Sequence, residues 1–142
     1  MTKVTLITGG SRGIGAATAR LCAAEGHAVA INYRSDATAA EKVRVEVESA
    51  GAKAMVVQAD TGVESDIMRM FEEVDRNLGT VTGLVNNAGI HGPRGRLDAL
   101  SAGDIDRVLE VNVRGCFPCA REAIKRMSTK HGGAGGSIVN VS

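Results

Sequence analysis

The sequence predicts an α/β fold in which a doubly wound parallel sheet carries helices on both faces. Short apolar runs typical of buried strands alternate with longer segments of helical spacing along the chain. Each helical segment can serve as a right-handed crossover between parallel strands. A glycine cluster, "GGSRGIG", follows the first apolar run. Ligands of such sheets bind beyond the carboxyl ends of the strands, so we expect a site at this cluster.

The first two strands flank the glycine cluster and one helix. The run "VTLIT" is predicted as the first strand and "HAVAINY" as the second. The helix between them places Ile14, Ala17 and Leu21 on one face, and Gly26 provides its C-terminal stop. We therefore expect this face to pack on the sheet.

Two more helices surround the third strand, "KAMVVQA". A helix over 37–50 is predicted after Asp36, which is at the N-cap position. Thr61 and Glu64 have the spacing of a capping box for the following helix. The residues predicted to face the core are Ala40, Val43 and Val47 in the first of these helices, and Ile67, Met70, Phe71, Val74 and Leu78 in the second.

The last part of the chain is predicted to contain two strands joined by one long helix. "TGLVNNAG" forms the fourth strand and "SIVNVS" the fifth. Ser101 and Asp104 have capping-box spacing at the start of the helix. We expect the helix to run towards Lys130 with a kink at Pro118, since proline interrupts helical hydrogen bonding.

Composition excludes several classes of protein. The 142 residues include 17 basic and 16 acidic side chains and no Trp, which argues against a surface for nucleic acids. The sequence has no apolar run of about 18 residues and no secretory h-region. We therefore expect a cytoplasmic protein that binds neither nucleic acid nor membrane.

The three cysteines are predicted to be reduced thiols, since no secretory signal precedes them. Cys116 and Cys119 form a C-x-x-C pair, "CFPC", inside a helical segment. The spacing favours two small buried residues, and a thiol-redox pair stays open as an alternative. Because the chain has no second C-x-x-C and only three histidines, no metal site is predicted.

The glycine cluster indicates a phosphate-binding loop. Glycine costs about 1 kcal/mol in a helix relative to alanine, so four glycines from Gly9 to Gly15 indicate a need for bare backbone. The helix that follows offers free N–H groups and a positive dipole end to a pyrophosphate. A tight turn required only for packing is the alternative.

Five motifs, in order, resemble the short-chain dehydrogenase/reductase family of the classical type. They include T-G-x-x-x-G-x-G from Thr8 to Gly15, N-N-A-G at residues 86–89 and I-V-N-x-S at residues 138–142. Asp60 after the third strand and Asn112 in the long helix match two further positions. The resemblance covers the whole chain and implies a Rossmann-type fold.

The resemblance implies an NAD(P) site and hydride transfer between a nicotinamide and a carbonyl or alcohol. It assigns the adenine to Asp60 and Thr61, and a proton relay through a water to Asn112, the predicted catalytic residue. The alternatives are a helix cap for Asp60, a tie between strands for Asn87 and a bond to nearby backbone for Asn112. The predicted cofactor residues are Gly9, Ser11, Arg12, Gly13, Ile14, Gly15, Arg34, Ser35, Asp60, Thr61, Asn87, Ala88 and Gly89.

We expect NADP(H) rather than NAD(H). An NAD enzyme places a carboxylate at the end of the second strand, where this sequence has "NYR" ending in Arg34. Arg12 supplies a second cation for a 2′-phosphate. Asp36 is the competing carboxylate, but its position favours an N-cap. Solvated surface charges are the alternative for both arginines.

The family's catalytic Tyr and Lys are not expected within these residues. The one tyrosine is Tyr33, and Ala37 stands four positions later, so Y-x-x-x-K is not formed. We expect residues 1–142 to be a single NAD(P)-binding domain that lacks its C-terminal catalytic and substrate-binding part, with an incomplete sheet and no activity alone. A non-catalytic dinucleotide-binding module or pseudoenzyme partner stays open. The resemblance implies a homo-oligomer, a dimer or tetramer.

Overall fold

The structure, a computed structural model, describes residues 2–142 and contains one parallel sheet. Its strands are β1 (Val4–Ile7), β2 (Ala28–Tyr33), β3 (Ala54–Gln58), β4 (Gly83–Asn86) and β5 (Ser137–Asn140). They are ordered β3-β2-β1-β4-β5, and every pair of neighbours is parallel. The strand order therefore reverses between β1 and β4, which opens a crevice at the carboxyl edge. The predicted doubly wound α/β fold is confirmed.

Helices cover both faces of this sheet. They are α1 (Gly13–Ala24), α2 (Ala37–Ser49), α3 (Glu64–Asn77), α4 (Ala102–Leu109) and α5 (Cys116–Met127). One core lies between the sheet and helices α1 and α2, where Ile7 is fully buried. The other lies beneath α3 and α5, where Leu6 is fully buried. Adjacent residues of β1 thus serve opposite cores, as the alternation of side chains along a strand requires.

The apolar face predicted for α1 is wrong. Ile14 is 63% exposed and Leu21 is 69% exposed, and Ala17 also faces solvent. Small side chains allow the helix backbone to approach the sheet closely, and this close packing outweighs the burial of larger residues. The buried residues of α1 are Gly15, Ala16, Ala19 and Ala23. The predicted faces of α2 and α3 are confirmed, with Leu78 partly buried against the core.

Three predicted helix caps have different outcomes. The Asp36 carboxylate accepts a hydrogen bond from Ala39 N at 3.0 Å, which confirms it as the N-cap of α2. The capping box of Ser101 and Asp104 is also present at α4. The box predicted for Thr61 is wrong, because α3 begins after Val63 and has no side-chain cap. Thr61 is buried instead, at 6% exposure.

The long helix predicted up to Lys130 is interrupted before Pro118. A π-helical turn at Glu110–Arg114 separates α4 from α5, and Gly115 N donates to Glu110 O at 2.9 Å. Pro118 lies in the first turn of α5, where its missing N–H costs little. The kink predicted at Pro118 is therefore wrong in position, since the irregular turn precedes the proline.

Strand β5 is one of the two edge strands of the sheet within residues 2–142, and β3 is the other. Val139 is 55% exposed and Val141 is 37% exposed. These two side chains make the β5 edge partly apolar. None of the helices in the described part of the chain is both long and apolar enough to cross a membrane.

Candidate cofactor site

A cavity of about 730 Å³ opens at the carboxyl edge of the sheet. The loops that follow β1, β2, β3 and β4 form its walls together with the π-helical turn. Its volume is in the range of small-molecule and cofactor sites. Twelve of the thirteen predicted cofactor residues line it, all except Gly15, and Asn112 lines it as well.

The glycines of the loop after β1 have two distinct roles. Gly9 and Gly13 have positive φ angles of 62° and 56°, which strain any residue with a Cβ. A methyl group at Gly13 would meet no protein atom within 4 Å, so this position faces open space. A methyl group at Gly15 would overlap Gly9 O and lie 2.7 Å from Asn87 Nδ2. Gly15 is therefore needed for packing, which explains why it does not line the cavity.

The N-terminus of α1 points its free backbone groups at this cavity. Its N-cap residue, Arg12, has extended backbone angles and makes no side-chain cap hydrogen bond. The first N–H groups of a helix have no partner within the helix, and the positive end of its dipole lies there. This end of α1 can therefore hold an anion such as a phosphate.

Two residues that sequence reasoning missed hold the loop in place. Asn32 is 2% exposed, and its Oδ1 accepts from Gly9 N at 3.1 Å while its Nδ2 donates to Ala59 O at 3.1 Å. Thr8 Oγ1 accepts from Asn87 N at 2.9 Å and from Ala88 N at 3.0 Å. The sequence signal that could have identified Asn32 is its position as a polar residue within the apolar second strand, because a buried amide needs hydrogen-bond partners.

The side chain of Asn87 ties two strand ends together. Its Nδ2 donates to Thr8 O at 3.1 Å and to Gly9 O at 3.0 Å, so this amide group is committed to the glycine loop. Asn86 likewise donates to Asn140 Oδ1 at 2.9 Å. The structure thus bears out the alternative reading of this motif as a tie between strands.

Two arginines face one end of the cavity. Arg12 and Arg34 both line it, with Ser35 between Arg34 and the start of α2. Neither guanidinium forms a salt bridge with any residue in the described range 2–142. Asp36 lines the same wall, but its carboxylate is engaged as the cap of α2. This end of the site therefore carries available positive charge.

Asp60 is held in the cavity wall by an arginine from a distant helix. Its Oδ2 accepts from Arg107 Nη2 at 2.7 Å, and its Oδ1 accepts from Gly62 N at 2.8 Å. Burial alone would raise the pKa of Asp60, but the hydrogen bonds from Arg107 and Gly62 and the charges of Arg107 and Arg34 lower it overall. The carboxylate is therefore ionised. It does not cap α3, whose N-cap residue is Val63 and which has no side-chain cap. Sequence reasoning missed Arg107, which lies 47 residues after Asp60 in the chain.

The amide of Asn112 is bonded to the loop after β4. Its Oδ1 accepts from Ile90 N at 2.7 Å, and its Nδ2 donates to Ile90 O at 2.7 Å. Asn112 lies in the π-helical turn and lines the cavity together with the glycine loop. The alternative of a bond to nearby backbone is thus correct for the side chain, and the catalytic role stays a prediction.

The cysteines do not have the character of a redox pair. Burial, with a contribution from Cys116, raises the pKa of the Cys119 thiol to about 12, and burial also raises the pKa of Cys116. Thiol exchange requires a thiolate, so both environments disfavour it. Within residues 2–142, no disulfide forms among the cysteines and no group of three or more His, Cys, Asp or Glu side chains could hold a metal.

Comparison with known proteins decides the family. The family model described as short chain dehydrogenase matches residues 3–142. The chain belongs to this family. It is 50% identical over 139 residues to a protein named uncharacterized oxidoreductase YgfF of Escherichia coli (strain K12), covering 98% of this chain and 56% of that protein. It is 36% identical over 142 residues to the 3-oxoacyl-[acyl-carrier-protein] reductase FabG of Staphylococcus aureus (strain Mu50), covering 100% of this chain and 56% of the relative.

A solved structure shares both the fold and the family. A double mutant of a short-chain dehydrogenase/reductase from Serratia marcescens superimposes with a TM-score of 0.86 at 38% identity, covering 97% of this chain and 54% of the other. The chain thus spans about half the length of the curated relatives and of this solved structure. The predicted family and Rossmann-type fold are confirmed.

Proposed function

We propose that this chain is the NADP(H)-binding part of a reductase that transfers a hydride between nicotinamide and a small carbonyl or alcohol substrate. One observation carries the proposal. Within residues 2–142, a single cavity combines a glycine loop, a helix N-terminus without a side-chain cap and two arginines, Arg12 and Arg34, that form no salt bridge. The names of the relatives, an oxidoreductase and a 3-oxoacyl reductase, support the reaction class. No observation favours the non-catalytic alternative.

The residues of the cavity fit a dinucleotide. The open space at Gly13 and the free N–H groups of α1 suit the pyrophosphate, with Ser11 and Ile14 beside it. Asp60 and Thr61 form the wall proposed for the adenine, and Ala88 and Gly89 the wall for the adjoining ribose. When bound, the cofactor supplies the hydride, and the role of these residues is to bind and orient it.

Asn112 is proposed to act at the other end of the cavity. Its amide positions Ile90 in the loop after β4, next to Gly89. A proton must be supplied to or removed from the substrate oxygen during hydride transfer. We propose that the π-helical turn around Asn112 belongs to the path of that proton, in keeping with the resemblance.

The preference for NADP(H) is proposed to arise from Arg12, Arg34 and Ser35. Charge-assisted hydrogen bonds from guanidinium groups to a 2′-phosphate contribute on the order of 1.5–3 kcal/mol. The carboxylate of Asp36 accepts a hydrogen bond from Ala39 N as the cap of α2, and Arg34 supplies a cation where an NAD enzyme has a carboxylate. Both features favour the phosphorylated cofactor.

The decisive experiment is a comparison of NADPH and NADH binding by the Arg34→Ala variant of the protein that contains these residues. We expect a loss of about tenfold or more in NADPH affinity and little change for NADH. Arg76→Ala is the matched control, because Arg76 is exposed on α3 and does not line the cavity. An unchanged ratio of the two affinities in Arg34→Ala would remove the assignment of NADP(H).

We also propose a cytoplasmic homo-oligomer. Three free cysteines suit a reducing compartment. An apolar stripe runs along the outside of α4, the π-helical turn and α5, and a surface of this kind is typical of an association site. Analytical ultracentrifugation of the protein measures the oligomeric state. The residues of the stripe, 43–71% exposed, are Ile105, Leu109, Val113, Phe117 and Ile124.

A further inference from the structure

Helix α4 reaches the cavity through a charged side chain. None of its residues is buried, and Ile105 and Leu109 face solvent. Arg107 points the opposite way and forms a salt bridge with Asp60, with Nη2 2.7 Å from Oδ2. This ion pair therefore joins an otherwise exposed helix to the wall of the cavity.

The loop after β3 is shaped to admit the Arg107 guanidinium. A methyl group on Gly62 would lie 2.6 Å from Arg107 Nη1, closer than a real side chain allows. Gly62 N also donates to Asp60 Oδ1 at 2.8 Å. The absence of a side chain at Gly62 thus clears the path of the arginine, while its N–H holds the second oxygen of the same carboxylate.

The carboxylate of Asp60 is held in one orientation but still has free hydrogen-bond acceptor positions. Each oxygen of an ionised carboxylate has about two acceptor positions, and one on each oxygen is used, by Arg107 and by Gly62. Asp60 lines the cavity, and its side chain is 22% exposed. The remaining acceptor positions can therefore receive an N–H donor from a bound ligand in one fixed orientation.

We infer that Arg107 is a positioning residue that orients Asp60 to accept a hydrogen bond from the exocyclic amino group of the cofactor's adenine. The inference rests on the proposed function. Adenine presents an N–H donor at this position, whereas hypoxanthine presents a carbonyl oxygen that a carboxylate repels. Arg107 itself touches Asp60, not the base, so its effect on binding passes through the carboxylate.

Arg114 provides a matched control on the same segment. Its Nη2 donates to Gly62 O at 2.8 Å, so it anchors the same loop. It makes no hydrogen bond to Asp60. Removal of Arg114 therefore loosens the loop without freeing the carboxylate, whereas removal of Arg107 does both.

The experiment measures binding of NADPH and of its analogue with hypoxanthine in place of adenine, by nicotinamide fluorescence, to the protein that contains these residues. We expect the wild type to prefer NADPH by about tenfold, the effect of one hydrogen bond to a charged acceptor. Arg107→Met should reduce this preference to about twofold or less. Arg114→Met should keep the wild-type preference, and Arg107→Lys should restore part of it.

The possible outcomes separate the inference from the proposed function. Wild-type protein that binds neither nucleotide overturns the proposed function, and with it this inference. Wild-type protein that binds both nucleotides equally overturns only the role of Asp60 and Arg107. If Arg107→Met binds both nucleotides more weakly by the same factor, the role of Arg107 is structural alone, and this result also overturns the inference. If Arg107→Met does not fold, the same comparison is made with Arg107→Gln, and a full preference for NADPH in that variant overturns the inference.

Discussion

Alanine at Gly13 should weaken nucleotide binding in a protein that still folds, whereas alanine at Gly15 should mainly destabilise the fold. Both glycines belong to the loop after β1, two residues apart. Gly13 lines the cavity, and a methyl group there meets no protein atom within 4 Å. Gly15 is buried against the loop itself. The pair therefore separates the ligand-binding role of the loop from its packing role.

The magnitudes follow from backbone angles and contacts. Gly13 has φ = 56°, and a non-glycine residue in this region costs about 1–2 kcal/mol. This is the expected decrease in the free energy of unfolding for Gly13→Ala. At Gly15, a methyl group would overlap Gly9 O and approach Gly10 Cα to 2.9 Å. Overpacking costs about 1–3 kcal/mol and occasionally more, and we expect the upper end here because backbone atoms cannot rotate away.

The assay combines denaturant unfolding with titration of NADH and NADPH. Gly13→Ala should lower the affinities for NADH and NADPH by the same factor, about tenfold or more, because the two nucleotides share the pyrophosphate. The ratio of the two affinities should stay at its wild-type value, in contrast to Arg34→Ala. Gly15→Ala should lose more unfolding free energy than Gly13→Ala does.

Full retention of both affinities by a folded Gly13→Ala protein would refute the reasoning. It would mean that the loop after β1 is only a tight turn. A selective loss of NADPH binding would also contradict it, since that result would place the 2′-phosphate at Gly13.

Two further predictions concern thiols and acid stability. Alkylation of the native protein should modify Cys116 before Cys119, because the Cys119 thiol is buried and has a pKa of about 12. Equal alkylation rates of the two cysteines, measured by mass spectrometry, would contradict this prediction. Burial alone would raise the pKa of Glu122, but hydrogen bonds from Lys125, Arg121 and Arg126 lower it overall. The stability that Glu122 contributes should therefore be complete above its ordinary pKa of about 4.5 and be lost as pH falls through the lowered folded-state value. The difference in unfolding free energy between wild type and Glu122→Gln should accordingly shrink in acid, and a constant difference would argue against the ionised, paired state.

Local sequence was sufficient for the architecture. Alternating strand and helix periods predict a parallel doubly wound sheet, because hydrophobic periodicity is a property of neighbouring residues. The same applies to the caps at Asp36 and Ser101, whose partners lie three residues away. The glycine loop could also be placed, since positive φ angles and a helix start are local demands.

Periodicity was misleading where packing distance decided the outcome. In α1, the most apolar face contains Ile14 and Leu21, but the buried face consists of alanines and Gly15. Helical spacing ranks faces by hydrophobicity and contains no information on how near the sheet lies. Periodicity also contains no sign of the contact directly after the π-helical turn at Glu110–Arg114, where Gly115 lies so close to Thr61 O that it leaves no space for a side chain.

The contacts that shape the site were decided by tertiary structure alone. Asn32 reaches the glycine loop and β3 across 23 to 27 residues of sequence, Asn112 reaches Ile90 across 22, and Arg107 reaches Asp60 across 47. The sequence by itself determined which residue types were available at the carboxyl edge of the sheet. Which of them meet depends on the strand order β3-β2-β1-β4-β5, which brings the ends of distant segments to one crevice. Hydrogen-bond partners at such separations leave no periodic or local signal, because each side chain satisfies its polar atoms only after the sheet has formed.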